Sequence, residues 1–176
     1  MDSLSKPELL RLLKVARAVS ERDWLMILVS YWHGLRVSEL VGLTGSSVAD
    51  GYLTVDRLKG SERTVQALVR HSKPLLSERE ALIEFARKTY PKARIFKISR
   101  QHAWRLMQRY CKLAEVPLHK AHPHALKHTT AMQMIEKAGI HRTRKRLGHK
   151  SIASTGMYLQ VGDADVDAVM VRATGL

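Results

Sequence analysis

Helical spacing of apolar residues runs along most of this 176-residue chain and gives way to alternation in one segment only. Within residues 48–69, apolar and polar residues alternate over Tyr52–Val55 and residues 64–68, on either side of a turn at residues 59–62. Alternation with a period of two is typical of half-buried strands, and two such runs around a glycine-containing turn predict a β-hairpin. The sequence therefore predicts a mainly α-helical domain with one small antiparallel β-sheet, an α+β fold.

The helices are delimited by apolar stripes and by residues that favour helix ends. Pro7 suits a first turn, Ser77 and Ser99 are predicted N-caps, and Gly139 is a predicted C-cap. The last predicted helix, residues 163–172, has acidic residues in its first turn, where the helix dipole favours negative charge. The predicted helices cover residues 6–19, 21–32, 37–43, 78–88, 100–114, 125–138, 143–147, 151–158 and 163–172.

The predicted helix at residues 100–114 has two chemically different faces. Helical spacing groups its apolar residues on one face: Ala103, Leu106, Met107, Tyr110, Leu113 and Ala114. It groups basic residues on another: His102, Arg105, Arg109 and Lys112. One face is therefore predicted to pack against a core, and the other is free to meet phosphate groups.

Positive charge is concentrated in one third of the chain. The sequence has a formal net charge of +14, and residues 92–150 hold 15 basic and two acidic residues. Such a field attracts polyanions, which makes nucleic acid the first partner to consider. A solvated basic face without a ligand and a basic helix on a membrane surface are the alternatives. Six residues are predicted to contact DNA: Arg100, Arg105, Arg109, Lys112, Arg144 and Lys150.

Cysteine usage and hydropathy argue against secreted and membrane-spanning proteins. The single Cys111 cannot form an intramolecular disulfide or a cysteine-based zinc site. The longest purely apolar run, residues 24–29, is far shorter than the roughly 20 residues of a membrane span. The N-terminal residues alternate charge with leucine and do not form a signal-peptide core. The sequence predicts a protein of the reducing cytoplasm, associated with the nucleoid, with no membrane partner.

A set of cations and imidazoles with one tyrosine carries the chemistry. Arg36 follows Gly34, Lys59 lies in the predicted hairpin turn, and His124-Ala125-Leu126-Lys127-His128-Thr129 precedes Leu147-Gly148-His149 and then Tyr158. In order and spacing these residues resemble the motifs of the tyrosine recombinase (phage integrase) family. The resemblance covers nearly the whole chain and implies the catalytic-domain fold of that family.

The resemblance also implies roles for the residues that would handle the phosphate. Tyr158 would attack the phosphorus of a DNA phosphodiester to give a 3′-phosphotyrosine, as in nucleophilic catalysis generally. Arg36 and Lys127 would bind the nonbridging oxygens with help from His149, because donors are needed where charge develops.

Proton transfer, cofactors and partners follow from the same resemblance. Lys59 would protonate the 5′ leaving oxygen, and His124 would assist removal of the proton from the tyrosine. Because the phosphotyrosine conserves bond energy, neither a metal nor another cofactor is implied. Double-stranded DNA is the expected partner. A homo-oligomer, a synaptic tetramer on DNA, is expected to assemble through the C-terminal helix at residues 163–172.

Two features depart from the family pattern. The second box usually carries arginine where this chain has Lys127, and an ammonium keeps the charge but loses the planar fork of donors. Family members usually carry an N-terminal core-binding domain, whereas here the catalytic domain begins about 35 residues before Arg36. We therefore expect one catalytic domain over residues 1–176 without a core-binding domain. The sequence does not distinguish a fragment from a naturally single-domain enzyme.

Other interpretations of the same residues stay open. Arg36 could pair with Glu39, Lys59 could be a solvated turn residue, and the His124 and His128 pair could be structural. Within enzymes, the same set could support a nick-and-reseal activity like that of type IB topoisomerases. A DNA-binding module that lost cleavage through the change at Lys127 is the alternative from another class.

Overall fold

Seven α-helices and a three-stranded antiparallel sheet form the part of the chain, residues 2–58 and 61–158, that the computed structural model describes. The helices are α1 (Lys6–Val19), α2 (Glu21–His33), α3 (Val37–Gly42), α4 (Arg79–Arg87), α5 (Arg100–Leu113), α6 (Pro123–Leu147) and α7 (Ala153–Gly156). The strands are β1 (Val48–Ala49), β2 (Tyr52–Val55) and β3 (Thr64–Ala67). The predicted fold class is confirmed. The predicted helix at residues 163–172 lies outside the described residues.

Helix α2 is the centre of the core. Its residues 23–30 are all buried, and α1 and α6 pack against it. A helix that is buried on all sides needs satisfied ends, and Ser20 provides one by accepting a hydrogen bond from the Asp23 N–H. Helix α1 begins with a capping box between Ser5 and Glu8. Among residues 2–58 and 61–158, no helix has the length and apolar content to cross a membrane.

The sheet has strand order β1-β2-β3, with Val48 opposite Leu53 and Tyr52 opposite Ala67. The β2–β3 hairpin matches the predicted one. Strand β1 was not predicted, because two residues are too short for alternation to be recognised. The hairpin is tied to the end of α6 by a 2.8 Å hydrogen bond from the Glu62 N–H to the Gly148 carbonyl.

Two local predictions are corrected by the structure. Ser77 does not cap α4; its hydroxyl accepts from the His71 N–H, and Glu78 takes the N-cap position. The Glu78 carboxylate makes no capping bond to α4 and binds the Val69 N–H and the His33 ring instead. Leu113 is 54% exposed, and the packed face of α5 uses buried Cys111 instead.

Helix α6 was predicted as two helices separated at Gly139. The backbone at Gly139 is indeed non-helical, with φ 77° and ψ 170°, but helical residues continue on both sides of it. The Thr143 hydroxyl donates to the Gly139 carbonyl and stabilises the turn that follows the bend. The second part of α6 therefore leads directly to Gly148.

Candidate active site

Two helices end at left-handed glycines, and a predicted site residue follows each of them. Gly34 ends α2 with φ 58°, and Gly148 ends α6 with φ 68°. A Cβ at Gly34 would lie 2.5 Å from Leu147, and one at Gly148 would lie 2.6 Å from the Glu62 carbonyl oxygen. Only glycine suits both the backbone conformation and the space.

One cavity, here called the site cavity, brings the predicted residues together. It has a volume of about 650 Å³ and is bounded by the ends of α2, α6 and α7 and by the hairpin. Five of the six predicted catalytic residues line it: Arg36, His124, Lys127, His149 and Tyr158. Lys59, the sixth, lies outside the described residues, and its neighbour Ser61 lines the cavity.

Arg36 lies in the turn between α2 and α3 and is held by Glu39. Its backbone N–H donates to Oε2 of Glu39 at 2.8 Å, and its Nη1 donates to Oε1 at 2.8 Å. Nη1 also contacts the Leu58 carbonyl and the Ser61 hydroxyl, both at 3.3 Å. The bonds of this guanidinium to described residues all use Nη1. Nε and Nη2 therefore keep donors for a ligand.

Arg57, which the sequence analysis did not single out, also binds Glu39. Its side chain is fully buried. It makes five hydrogen bonds of 2.8–3.2 Å, to Thr64 Oγ1, Glu39 Oε2 and the carbonyls of Gly34, His33 and Arg146. Burial alone would raise the pKa of Glu39, but the Arg36 N–H and the charge of Arg57 outweigh burial and lower it. Glu39 is therefore an ionised carboxylate with both oxygens engaged.

Lys127 is a buried cation. It is 3% exposed, and its Nζ has no hydrogen-bond partner within the described part of the chain. Burial first, and then the charge of Arg36, lower the pKa of Lys127 to about 8, although Glu39 acts in the opposite direction. A buried, unpaired ammonium is costly unless a ligand offsets its charge.

His149 is held beside these cations by Thr155. Its Nδ1 lies 2.9 Å from the Thr155 hydroxyl, and the Thr155 side chain is fully buried. Burial, followed by the charges of Lys127 and Arg36, lowers the pKa of His149 to about 4. The ring is therefore neutral at pH 7 in the unliganded site.

Tyr158 is buried at the edge of the site cavity. It is 5% exposed and packs with Ala131 and Leu147. Burial raises the pKa of Tyr158, and the charge of Arg36 acts against that increase. The ring of His128 meets the Tyr158 ring edge-on, with centroids 5.4 Å apart.

Two histidines of α6, His124 and His128, line the site cavity together with Tyr158. His124 is exposed at the cavity edge, and its ring centroid is 6.2 Å from that of His128. Burial, and then the neighbouring His124, lower the pKa of His128. Nδ1 of His128 is buried and has no hydrogen-bond partner among residues 2–58 and 61–158. A neutral ring in this position can accept a proton.

The predicted DNA-contact residues fall into two groups, one on α5 and one in the turn after α6. Arg100 lines a groove of about 660 Å³ together with Trp104, His122 and His124, and the two histidines also line the site cavity. On the same helix, the exposed members are Arg105, Arg109 and Lys112. The start of α5 therefore adjoins the candidate site.

The second group lies in the turn after α6. Lys150 is exposed and lines the site cavity. Arg144 is half-buried, and its Nη1 donates to the Lys150 carbonyl at 3.1 Å and to the His149 carbonyl at 3.4 Å. Arg144 thus shapes the turn that presents His149. Among the described residues, no group of three or more histidines, cysteines or carboxylates is placed to hold a metal ion.

Arg57 and Thr155 are the site-supporting residues that sequence reasoning missed. Thr155 precedes Tyr158 by three residues, which is a usable signal once the tyrosine is singled out. Glu39, which follows Arg36 by three residues, was considered only as an ion-pair partner. Arg57 has no local signal, because its acceptors are up to 89 positions away in the sequence.

Known proteins share both the sequence pattern and the fold. The phage integrase family model matches residues 2–165. Tyrosine recombinase XerA of Pyrococcus furiosus is 32% identical over 97% of this chain and 61% of the relative. Tyrosine recombinase XerD of Xanthomonas campestris is 29% identical over 86% of this chain and 51% of the relative. The chain thus spans between half and two thirds of these relatives.

Solved structures agree on the fold. The crystal structure of XerA recombinase has a TM-score of 0.75 at 22% identity, over 97% of this chain and 64% of that chain. A λ integrase dimer bound to a COC′ core site has a TM-score of 0.71 at 21% identity, over 89% of this chain and 47% of that one. The family model extends from the first helix past Tyr158 and so includes every residue of the site cavity. On this evidence the chain is a member of the phage integrase family.

Proposed function

We propose that residues 1–176 act as the catalytic domain of a tyrosine recombinase, which cleaves and rejoins DNA strands at specific sites through Tyr158. One observation carries the proposal. A buried tyrosine lines the same cavity as a buried lysine, and within residues 2–58 and 61–158 that lysine has no hydrogen-bond partner and the arginine there keeps unused donors. A phosphodiester monoanion supplies the charge that this cavity lacks and places a phosphorus atom beside a nucleophile.

The proposed step is an exchange of two phosphate esters. Tyr158 Oη attacks phosphorus, the bond from phosphorus to the 5′ oxygen breaks, and the 3′ phosphate stays on the tyrosine. The phenolic proton leaves to a base, and a proton is delivered to the 5′ oxygen. A 5′-hydroxyl can reverse the step, because the phosphotyrosine retains an ester bond.

Each neighbour has a proposed part in this exchange. Arg36 binds the nonbridging oxygens through Nε and Nη2, and Lys127 binds them as an ammonium. If the Thr155 hydroxyl donates to Nδ1 of His149, then Nε2–H of that neutral ring faces the ligand as a donor. Lys59 is proposed to protonate the 5′ oxygen, and His124 to assist removal of the phenolic proton.

The proposal is tested with a nicked suicide duplex on which the covalent adduct accumulates. Tyr158→Phe removes only the nucleophilic oxygen, so the SDS-resistant adduct should be lost while DNA binding is retained. Tyr90→Phe is the matched control, because Tyr90 is 85% exposed and lies outside the site cavity. An adduct formed equally by Tyr158→Phe would refute the assignment. No adduct with the wild-type chain, despite binding, would favour the DNA-binding module.

Double-stranded DNA is the proposed partner of the basic surface around the site cavity. Arg100, Arg105, Arg109, Lys112, Arg144 and Lys150 are the proposed contacts. Neutralising ~6 phosphates predicts a log–log slope of affinity against salt near −5, from about −0.9 per phosphate. Fluorescence anisotropy on a labelled duplex measures this slope. A slope shallower than about −2 would contradict this surface as the footprint.

Assembly of several copies on DNA is proposed to use the C-terminal segment. A groove of about 720 Å³, here called the side groove, lies beside Tyr158 and is lined by apolar residues of α1, α2 and α6, among them Leu9, Tyr31 and Ile135. Lys6, Lys137 and Glu136 also line it, so its charged lining is net positive. Residues 163–172 carry three aspartates, and Val166, Val169 and Met170 recur at helical spacing. An acidic segment with an apolar stripe suits a groove of this kind on a neighbouring copy.

Deletion of residues 163–176 tests this part of the proposal. Strand exchange should fall much more than duplex binding, because exchange requires several copies in contact. Size-exclusion chromatography on DNA should show loss of the multimeric complex. Equal loss of exchange and binding would indicate that the segment docks on its own core instead.

A further inference from the structure

Lys127 is surrounded by charged and titratable groups from every element that packs around it. They are Arg36 before α3 and Glu39 in it, Arg57 in the hairpin, His122, His124 and His128 at the start of α6, His149 and Lys150 after its end, and Tyr158. Three of these groups are permanent charges near the ammonium: the two arginines and Glu39. Two cations therefore compete with one anion.

The anion in this set is not available to Lys127. Oε1 of Glu39 accepts from Arg36 and from the Leu58 N–H, and Oε2 accepts from the Arg36 N–H and from Arg57. Lys127 is left with desolvation and repulsion, both of which favour the neutral amine. The same burial and repulsion lower the pKa of Lys127 to about 8. Near that pH, the unliganded site therefore holds both protonation states.

A bound phosphodiester reverses this balance. Its charge lies within a few ångströms of Nζ in the same poorly solvated cavity, which favours the ammonium. The arginines cannot respond in this way, because a guanidinium stays protonated throughout the accessible pH range. His149 ionises only at much lower pH, since its pKa is about 4. Around pH 8.5, Lys127 is thus the buried group in this set whose protonation the anion changes.

We propose that binding of a DNA phosphodiester in the site cavity is coupled to uptake of a proton by Lys127. The inference rests on the proposed function, because it takes the DNA backbone as the anion. It assigns a property to lysine at this position that arginine cannot have. The site binds its anion most tightly where the lysine is already charged, and it loses affinity as pH rises.

Proton uptake is measured directly by titration calorimetry. The wild-type chain is titrated with a 30-base-pair duplex at pH 8.5 in two buffers of different ionisation enthalpy, and the enthalpy difference gives the protons bound. With a free-state pKa about 8, we expect the wild type to take up roughly 0.5–1 proton more than Lys127→Arg. Between pH 8 and 9.5, the wild-type affinity should fall roughly tenfold relative to that variant.

Matched variants separate Lys127 from the other lysines. Lys14→Arg makes the same chemical change on the exposed side of α1 and should keep the wild-type uptake. Lys127→Met serves as a second test if Lys127→Arg does not fold, because it also lacks the titrating group. Its uptake should match that of Lys127→Arg.

The outcomes distinguish this inference from the proposed function. Equal proton uptake by the wild type and by both Lys127 variants, with DNA bound in each case, would overturn the inference and leave the proposed function standing. Loss of the extra uptake in Lys14→Arg would overturn it as well. Failure of every form to bind duplex DNA would overturn the proposed function and the inference together.

Discussion

Arg57 and Lys127 are two buried cations near the same carboxylate, that of Glu39, and the fold compensates only one of them. All five hydrogen bonds of Arg57 end on acceptors of the protein, four of them buried, among them Glu39. Lys127 is equally enclosed but finds no acceptor in the described part of the chain. The charge of Arg57 is compensated by groups of the protein, whereas the charge of Lys127 is available to an anion that enters the site cavity.

This difference separates a structural cation from a functional one. A compensated guanidinium joins α2, α3, β3 and the end of α6 and holds Glu39 in place for Arg36. An uncompensated ammonium stores unfavourable free energy that an anionic ligand can release. The residues that bind the ligand therefore cost stability, whereas the residues that orient them provide it.

Arg57→Met should have the largest effect on stability. It leaves Glu39 short of a partner and removes the side-chain donor from the carbonyls of His33 and Gly34, so the free energy of unfolding should fall by about 3–5 kcal/mol. Urea denaturation measures the loss. Lys127→Met, which removes an unpaired charge from a similar depth, should not be destabilised. Equal destabilisation of the two variants would remove the distinction between the sites.

The pH dependence of stability should reveal the cost of burying Lys127. Its folded-state pKa of about 8 lies below the ordinary value of 10.5, so the penalty is complete below pH 8 and disappears as pH rises through 10.5. Relative to Lys127→Met, the wild-type free energy of unfolding should rise by up to ~3 kcal/mol over this range. Parallel pH profiles of the two proteins would contradict the buried, unpaired assignment.

Lys127→Ala should lower cleavage by at least ~10²-fold, the scale of losing one donor to the transition state. Lys127→Arg then separates two histories of the site. An arginine that raises cleavage indicates a decayed site, and one that lowers it indicates a site adapted to lysine, which we expect. Cleavage on the suicide duplex is measured together with DNA affinity. Cleavage by Lys127→Ala at the wild-type rate would show that Lys127 does not contact the scissile phosphate.

Thr155→Val and Thr64→Val should have smaller effects: the first should slow cleavage, and the second should lower stability. Each removes a buried hydroxyl, one beside the His149 ring and one beside the Arg57 guanidinium. A lost hydrogen bond is worth about 1 kcal/mol, so Thr155→Val should slow cleavage roughly fivefold with little change in stability. Thr64→Val should lower stability by a similar amount and spare cleavage. A stability loss in Thr155→Val together with slower cleavage in Thr64→Val would contradict the roles assigned to the two hydroxyls.

Local signals were sufficient for the helices whose ends are capped by nearby side chains. The predicted starts of α1 and α5 are confirmed, because Ser5 and Ser99 each bind an N–H group three residues further along. The predicted end of α1 is also confirmed, and α5 ends one residue earlier than predicted. The prediction of Ser77 as the N-cap of α4 was wrong, because contacts with residues outside α4 decide where that helix begins. The Glu78 carboxylate is held by His33, 45 positions earlier, and α4 begins after it.

The sequence by itself determined the fold class, the resemblance to the family and five of the residues that line the site cavity. It could do so because motif order and helical spacing are properties of neighbouring residues. Only the tertiary structure decided which cations are compensated. Whether Arg57 or Lys127 finds an acceptor depends on carbonyls and a carboxylate from segments far apart in the chain. Because both cations are buried, the compensated charge of Arg57 stabilises the fold, whereas the uncompensated charge of Lys127 favours binding of an anion.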